Sequence, residues 1–313
     1  MKLDFFSVKL TNDRLVFLVK IESGWGEIAP LEMNDQDYEK IKTALCQLQE
    51  ELKPIGKIKK EEIPFFLDRF NFAPLSYGIE QALLHHYANI KEKSLAELLC
   101  DQNKPLTKVK INALIPRVSV YEATKLTTEF LTTGFTTIKI KVGSSDIQDD
   151  VCRVKAVREK AGKEIKIHLD ANSRWHKNNV LTNLNLLADF GIEYIEQPLP
   201  ILTDMAWLKD QSPIPIAVDE AVSSLSDLQE AIKLDCCHLV VIKPMFWGSL
   251  LQAYQGLKLA QSKGLPVVLT GTLEGPIGRW GVYELARAGQ IDRGCGLTGY
   301  GYQKGSVMKE ISI

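Results

Sequence analysis

The sequence predicts an α/β protein in which an N-terminal α+β module leads into a (β/α) barrel. Strands precede helices over roughly the first hundred residues, the size of one small domain. From residue 108 onward, short apolar strands alternate with amphipathic helical stretches at a spacing of about 25 to 30 residues, a rhythm that a barrel accommodates over many repeats. No G-x-G-x-x-G follows a strand, so a doubly wound dinucleotide fold loses its main support. A third observation is chemical: successive strands close on a charged residue, at the end where a barrel carries its chemistry.

Taking the elements in order, residues 3–10 and 14–22 alternate like two strands, and Thr11-Asn12-Asp13 between them is a turn-forming cluster, so a hairpin opens the chain. Residues 24–31, Gly-Trp-Gly-Glu-Ile-Ala-Pro-Leu, form a glycine-punctuated loop or third strand. Helical spacing follows over 35–52, where Tyr38, Ile41, Leu45 and Leu48 make a stripe, and again over 76–85 and 94–99. The mixed charges of 53–62 read as a solvated loop. Barrel strands are expected at 109–115, 137–142, 165–171, 194–197, 214–219, 239–242 and 267–269, with helices at 121–131, 147–158, 181–188, 225–234 and 250–260. The eighth strand has the weakest pattern, and 294–299 is the candidate. The expected division is 1–105 for the α+β module, 106–300 for the barrel and 301–313 for a C-terminal segment returning to the first domain.

Composition narrows the function. The chain has 313 residues with a formal net charge of −1, which argues against an electrostatic nucleic-acid footprint. Its six cysteines lack C-x-x-C or C-x-x-H spacing, so neither a zinc cage nor a disulfide framework is expected. The N-terminus shows no signal-peptide pattern and no apolar run is long enough to span a bilayer, so a cytoplasmic protein without membrane association is expected. Oligomeric state is not legible.

The chemistry begins at Thr137–Gly143, a β-branched alternating run that puts Lys139 and Lys141 on one face and Ile138, Ile140 and Val142 on the other. Later strand ends supply Asp170 with Asn172, Glu196 with Gln197, Asp219 with Glu220, and Lys243. Taken singly, an aspartate at a strand end is more often a helix cap than a ligand, and a lone lysine is more often a surface residue. Together, Asp170, Glu196 and Asp219 point into one barrel mouth from three successive strands and would repel one another without a cation between them. Oxygen-only ligands favour a hard ion, Mg²⁺ first and Mn²⁺ second. Lysines facing that ion are expected to have lowered pKa values, suiting them to remove a proton α to a carboxylate. A small-molecule carboxylate is therefore the expected substrate. His168 shares the face of Asp170 but lies deeper, as a core-lining histidine.

Thr137-x-Lys139-x-Lys141, Asp170-Ala-Asn172, residues 194–199 (Tyr-Ile-Glu-Gln-Pro-Leu), Val218-Asp219-Glu220 and Ile242-Lys243-Pro244 resemble the motifs of the enolase superfamily, muconate-lactonizing subgroup. Residues 24–31 resemble its capping domain, and Gly271-Thr272-Leu273-Glu274-Gly275-Pro276 resembles its seventh-strand motif. The resemblance implies a modified (β/α)₇β TIM-type barrel with an α+β cap, and abstraction of the α-proton of a carboxylate beside Mg²⁺. It also implies Lys141 as base and then acid, Lys139 as an electrostatic and positioning group, Lys243 as the cation facing the enediolate, and substrate contacts from Asn172, Gly271, Thr272 and Glu274. Length and residues 24–31 look most like the dehydratase branch of menaquinone biosynthesis. Racemisation, epimerisation and cycloisomerisation use the same residues and stay open, with a non-catalytic binding barrel as a remote alternative. The dipeptide-epimerase branch leads one to expect Asp-x-Asp near the eighth strand, and residues 294–299 read Gly-Cys-Gly-Leu-Thr-Gly instead.

Overall fold

The computed structural model describes residues 1–10, 13–100 and 104–298; the 301–313 segment expected to return to the cap, and Gly299, lie outside that range. Three antiparallel strands, Leu3–Lys9 (β1), Leu15–Ile21 (β2) and Gly24–Ile28 (β3), open the chain, so the glycine-punctuated stretch is a strand through Ile28. Helices Asp35–Leu52 (α1), Ile63–Leu67 (α2), Ala73–Ile90 (α3) and Leu95–Leu99 (α4) follow. Asn34 caps α1 by accepting from the Asp37 amide, and Ile41, Leu45, Leu48 and Leu52 bury its apolar stripe. Strand β3 lies directly on α3. A Cβ on Gly26 would sit 1.9 Å from the Gly78 carbonyl oxygen, so only glycine permits that approach.

The barrel alternates Ala113–Ile115 (β4), Val120–Thr132 (α5), Thr137–Lys141 (β5), Ile147–Ala161 (α6), Lys166–Asp170 (β6), Val180–Leu187 (α7), Ile192–Glu196 (β7), Leu202–Lys209 (α8), Ile216–Val218 (β8), Leu225–Lys233 (α9) and Leu239–Ile242 (β9). It ends with Pro244–Trp247 (α10), Leu250–Ser262 (α11), Val267–Leu269 (β10) and Pro276–Ala288 (α12). The sheet is parallel in the order β10-β9-β8-β7-β6-β5-β4. Two isolated bridges, Ile111 to Cys295 and Thr270 to Gly296, close the ring. The eighth strand expected at 294–299 is thus a two-residue seam, crowded because a Cβ on Gly296 would stand 2.8 Å from the Thr270 side chain.

Strand alternation sorts the barrel residues into two apolar layers. Ile138, Ile140, Ile167, Leu169, Ile195, Val218, Val240 and Ile242 belong to the layer between strands and helices. Tyr194, Ala217, Leu239, Val241 and Val268 form a separate cluster, which the alternation places inside the ring. Helices α8 and α12 are absent from the sequence-based expectation. Gly281 in α12 lets the helix approach α3, since a Cβ there would lie 2.6 Å from the Tyr77 hydroxyl, while a Cβ on Gly278 would stand 2.6 Å from the Glu274 side chain. Among the described residues, all six cysteines are free thiols and no helix is long and apolar enough to cross a membrane.

Three buried carboxylates fasten cap to barrel by accepting from helix N-terminal amides, which otherwise have no intrahelical partner. Glu27 on β3 accepts from Gly275 (2.5 Å) and Gly278 (2.8 Å) at α12. Glu80 on α3 accepts from the Ser249 hydroxyl (2.6 Å) and the Leu250 amide at α11, and Glu284 on α12 accepts from Ala96 (2.9 Å) at α4. Burial pushes Glu80 from 4.5 up to about 7, against the opposing pull of the Ser249 hydroxyl and the Leu250 and Leu251 amides. The native state therefore holds this proton more tightly than the unfolded chain does. Its contribution to stability falls as pH climbs from about 4.5 to about 7 and stays at the lower level above that. Glu80→Gln should flatten this decline by on the order of 1–3 kcal/mol, read from urea unfolding at pH 5 and pH 8.

Candidate active site

Because Ile138, Ile140, Ile167, Leu169, Ile195 and Val218 point outward to the helices, their neighbours Lys139, Lys141, His168, Asp170, Glu196 and Asp219 point into the ring. The register sets Lys141, Asp170 and Glu196 side by side across β5, β6 and β7. Asp219 follows β8 and Lys243 follows β9, each one residue beyond the strand. The loops after these strands are fixed by buried polar groups. Asp150 accepts from the amides of Gly143 (2.8 Å) and Ser144 (2.9 Å), and Gln197 accepts from the Asp219 amide (2.6 Å). Asn172, Ser173, Gln197 and Leu273 all have positive φ without being glycine, backbone strain gathered at the C-terminal rim.

The carboxylate oxygens of Asp170, Glu196 and Asp219 lie within 4.8 Å of one another, and all three residues are buried. Lys139 is wedged between Asp170 (2.8 Å) and Glu196. Lys141 donates to Asp170 and to the Asn172 amide oxygen, both at 2.7 Å, while Lys243 donates to Asp219 at 2.6 Å. The protein's own charges act on Lys139 and Lys243 in the direction opposite to that expected of a facing cation. Burial pulls both ammonium groups down, but Asp170, Glu196 and Asp219 around Lys139, and Asp219 and Glu220 beside Lys243, outweigh it and hold them above their ordinary value. Burial pushes Glu196 upward, whereas the three lysines carry Asp170 downward in spite of its burial.

The triad fits a divalent cation. Glu196 Oε1 and Asp219 Oδ1 are buried without a hydrogen-bond partner, and oxygens left over from the lysine pairs are what a hard ion takes. Asp170, Lys139, Lys141, Asn172, Lys243, Gly271 and Thr272 line one cavity of about 480 Å³, while Glu196 and Asp219 lie beneath its surface. Glu274 was expected at the substrate, but it is not in that lining. Its carboxylate accepts from the Thr272 amide and hydroxyl, so it buttresses the loop from behind. His168 lies deeper, as expected, bonding Glu193 at 2.7 Å and stacking on Tyr194.

The cavity also holds residues that sequence reasoning missed: Leu31, Arg117, Phe246 and Arg279. Of these, Leu31 lay within a motif already noted, and its 49% exposure is a signal only the fold provides. The cap loops 22–25 and 71–74 are not in the lining of this cavity; residues 71–73 line a separate one at the cap–barrel junction. Arg14 ties the two walls together by donating to the carbonyls of Pro30 (2.5 Å), Thr272 (3.2 Å) and Leu273.

Residues 122–288, just over half of the chain, match the family described as enolase C-terminal domain-like. The chain is 32% identical over 194 residues to the o-succinylbenzoate synthase of Thermobifida fusca, covering 61% of this chain and 59% of that protein. It is 31% identical over 170 residues to the N-succinyl-L-Arg/Lys racemase of Bacillus cereus, covering 53% of this chain and 46% of that one. The matches thus span about half the length of these relatives. The solved structure of the Bacillus subtilis L-Ala-D/L-Glu epimerase superposes with a TM-score of 0.79 at 23% identity, over 94% of this chain and 89% of that one, which shows a shared fold. Mg²⁺ titrated into the protein should bind with heat measurable by calorimetry, and Asp219→Asn should weaken that binding at least about tenfold, since one of three anionic ligands becomes neutral.

Proposed function

The chain belongs to the enolase superfamily, and on that premise we propose that it is a metal-dependent dehydratase, an o-succinylbenzoate synthase of menaquinone biosynthesis. Its substrate in this reading is 2-succinyl-6-hydroxy-2,4-cyclohexadiene-1-carboxylate, and its products are 2-succinylbenzoate and water. The observation that carries the reading is the opposition of Lys141 and Lys243. Lys141 ends β5 and Lys243 follows β9, on opposite sides of the ring; they bond different members of the acid triad and line one cavity.

In the proposed reaction the Lys141 amine removes the α-proton, and the C–H electron pair moves into the substrate carboxylate to give an enediolate. The pair then returns to the ring, the bond to the hydroxyl breaks, and Lys141 gives the proton back so that water departs. Lys243 remains an ammonium and faces the enediolate from the other flank. Lys139 holds Asp170 and Glu196 in orientation, and Asn172, Gly271 and Thr272 contact the substrate. Asp170, Glu196 and Asp219 would hold Mg²⁺, or Mn²⁺ in its place, which would supply positive charge to offset that developing on the substrate carboxylate.

The same opposed lysines also support racemisation of an N-acylamino acid, with Lys141 and Lys243 alternating as base and acid. Epimerisation of dipeptides has less support, because residues 294–298 offer no carboxylate for a substrate ammonium group.

Incubation with Mg²⁺ and the cyclohexadiene should give loss of water by mass spectrometry together with the absorbance of an aromatic product. Exchange of the α-hydrogen in D₂O with inversion and no dehydration would instead select the racemase. Lys141→Ala should leave less than about 1% of kcat, because positioned acid/base groups contribute 10²–10⁴-fold. Lys243→Arg should retain measurable dehydration, since guanidinium keeps the charge, whereas a two-base racemase would lose all activity.

A further inference from the structure

We propose that Arg279 is the recognition group for a second carboxylate, carried by the substrate on a short tail away from the acid that faces the triad. The proposal rests on the reading above only in that the first carboxylate lies at Asp170, Glu196 and Asp219.

Arg279 sits in the first turns of α12 and lines the same cavity as Lys141 and Lys243. Its Nε is buried without a hydrogen-bond partner, and among the described residues its side chain makes no ion pair. Other arginines here are engaged by the protein: Arg153 by Val118 and Asp150, Arg158 by Phe190 and Ile165, and Arg287 by Leu106 and Glu284. A guanidinium partly withdrawn from water and left without a partner costs free energy unless an anion completes it, and its planar fork matches a carboxylate.

The backbone that carries Arg279 is held from both sides. Its own amide donates to Gly275 (3.1 Å), Gly275 and Gly278 donate to Glu27, and Gln81 donates to the Ile277 carbonyl (2.6 Å). Glu27 attracts the guanidinium from a distance, but its oxygens are already occupied by those two amides. The charge is therefore presented on a rigid mount, as selective recognition requires. Arg117, the other arginine of the cavity, is exposed and already donates to the Val142 carbonyl at 3.0 Å.

The test compares diacids with matched monoacids by calorimetry in Mg²⁺. One pair is 2-succinylbenzoate and its side-chain monomethyl ester; the other is N-succinyl-L-phenylalanine and N-acetyl-L-phenylalanine. Wild type should prefer the diacid of at least one pair by about tenfold or more, the worth of a charge-assisted hydrogen-bond pair. Arg279→Met should abolish the preference while leaving monoacid binding unchanged, and Arg279→Lys should keep part of it. With the cyclohexadiene substrate, Arg279→Met should raise KM more than it lowers kcat. If Arg279→Met does not fold, wild type and Arg279→Lys decide the matter. Equal binding within both pairs in wild type, a preference that survives in the folded Met or undiminished in the Lys variant, or one lost in Arg117→Met instead, overturns the proposal. A clear diacid preference in wild type with no dehydration would sink the dehydratase and leave the Arg279 assignment standing.

Discussion

Three buried carboxylates that cannot be left uncompensated are the constraint around which this molecule is built. Asp170, Glu196 and Asp219 bring their oxygens within 4.8 Å of one another inside the ring. Removing each from water costs several kcal/mol before their mutual repulsion is counted. Lys139, Lys141 and Lys243 supply the opposite charge from two sides of the ring, and oxygens still remain for a cation. Acids and amines thus share a single electrostatic problem, and any ion entering the site must compete with ammonium groups for Asp170 and Glu196.

The cap solves a related problem by other means. Glu27, Glu80 and Glu284 are buried acids that each accept from backbone amides at a helix N-terminus, where the helix dipole also favours negative charge, with the Ser249 hydroxyl added at Glu80 and the Arg287 guanidinium at Glu284. Each joins a residue in one part of the chain to a helix in another, so the first hundred residues are fastened to the barrel by directed bonds as well as by apolar packing. Arg14 extends this fastening to the cavity rim and holds the loop bearing Leu31 against the loop bearing Thr272. The shape of the cavity mouth is therefore set jointly by the cap and the barrel.

Most of the candidate site's geometry was legible in the sequence because strand periodicity is rigid. One residue in two faces inward, so an apolar run ending in Asp or Lys reports which side chains meet. The same logic failed where tertiary packing overrode a local signal. Gly281 interrupts the helical pattern of α12 in the sequence and is instead the position at which α12 packs closely on α3. Helix α8 escaped notice because its apolar residues mark no single face: Met205 and Leu208 are buried, while Trp207 between them is 36% exposed. Glu274 lies in a motif suggestive of substrate contact, and only the loop's fold shows its carboxylate turned back onto Thr272. Arg279 gave no signal at all, because an arginine three residues beyond a proline acquires meaning only when the helix it sits on borders a cavity.

The seam at Cys295 and Gly296 gives the ring two unlike halves. The acids and lysines of the candidate site lie on or just after the contiguous strands β5 to β9, which pair with one another as parallel neighbours, whereas the closure from β10 to residue 111 is made by two isolated bridges. The charged residues are thereby set on adjacent strands, while the seam itself, through Thr270 and Gly296, forms part of the cavity wall, so its outline depends on side-chain packing across two bridges.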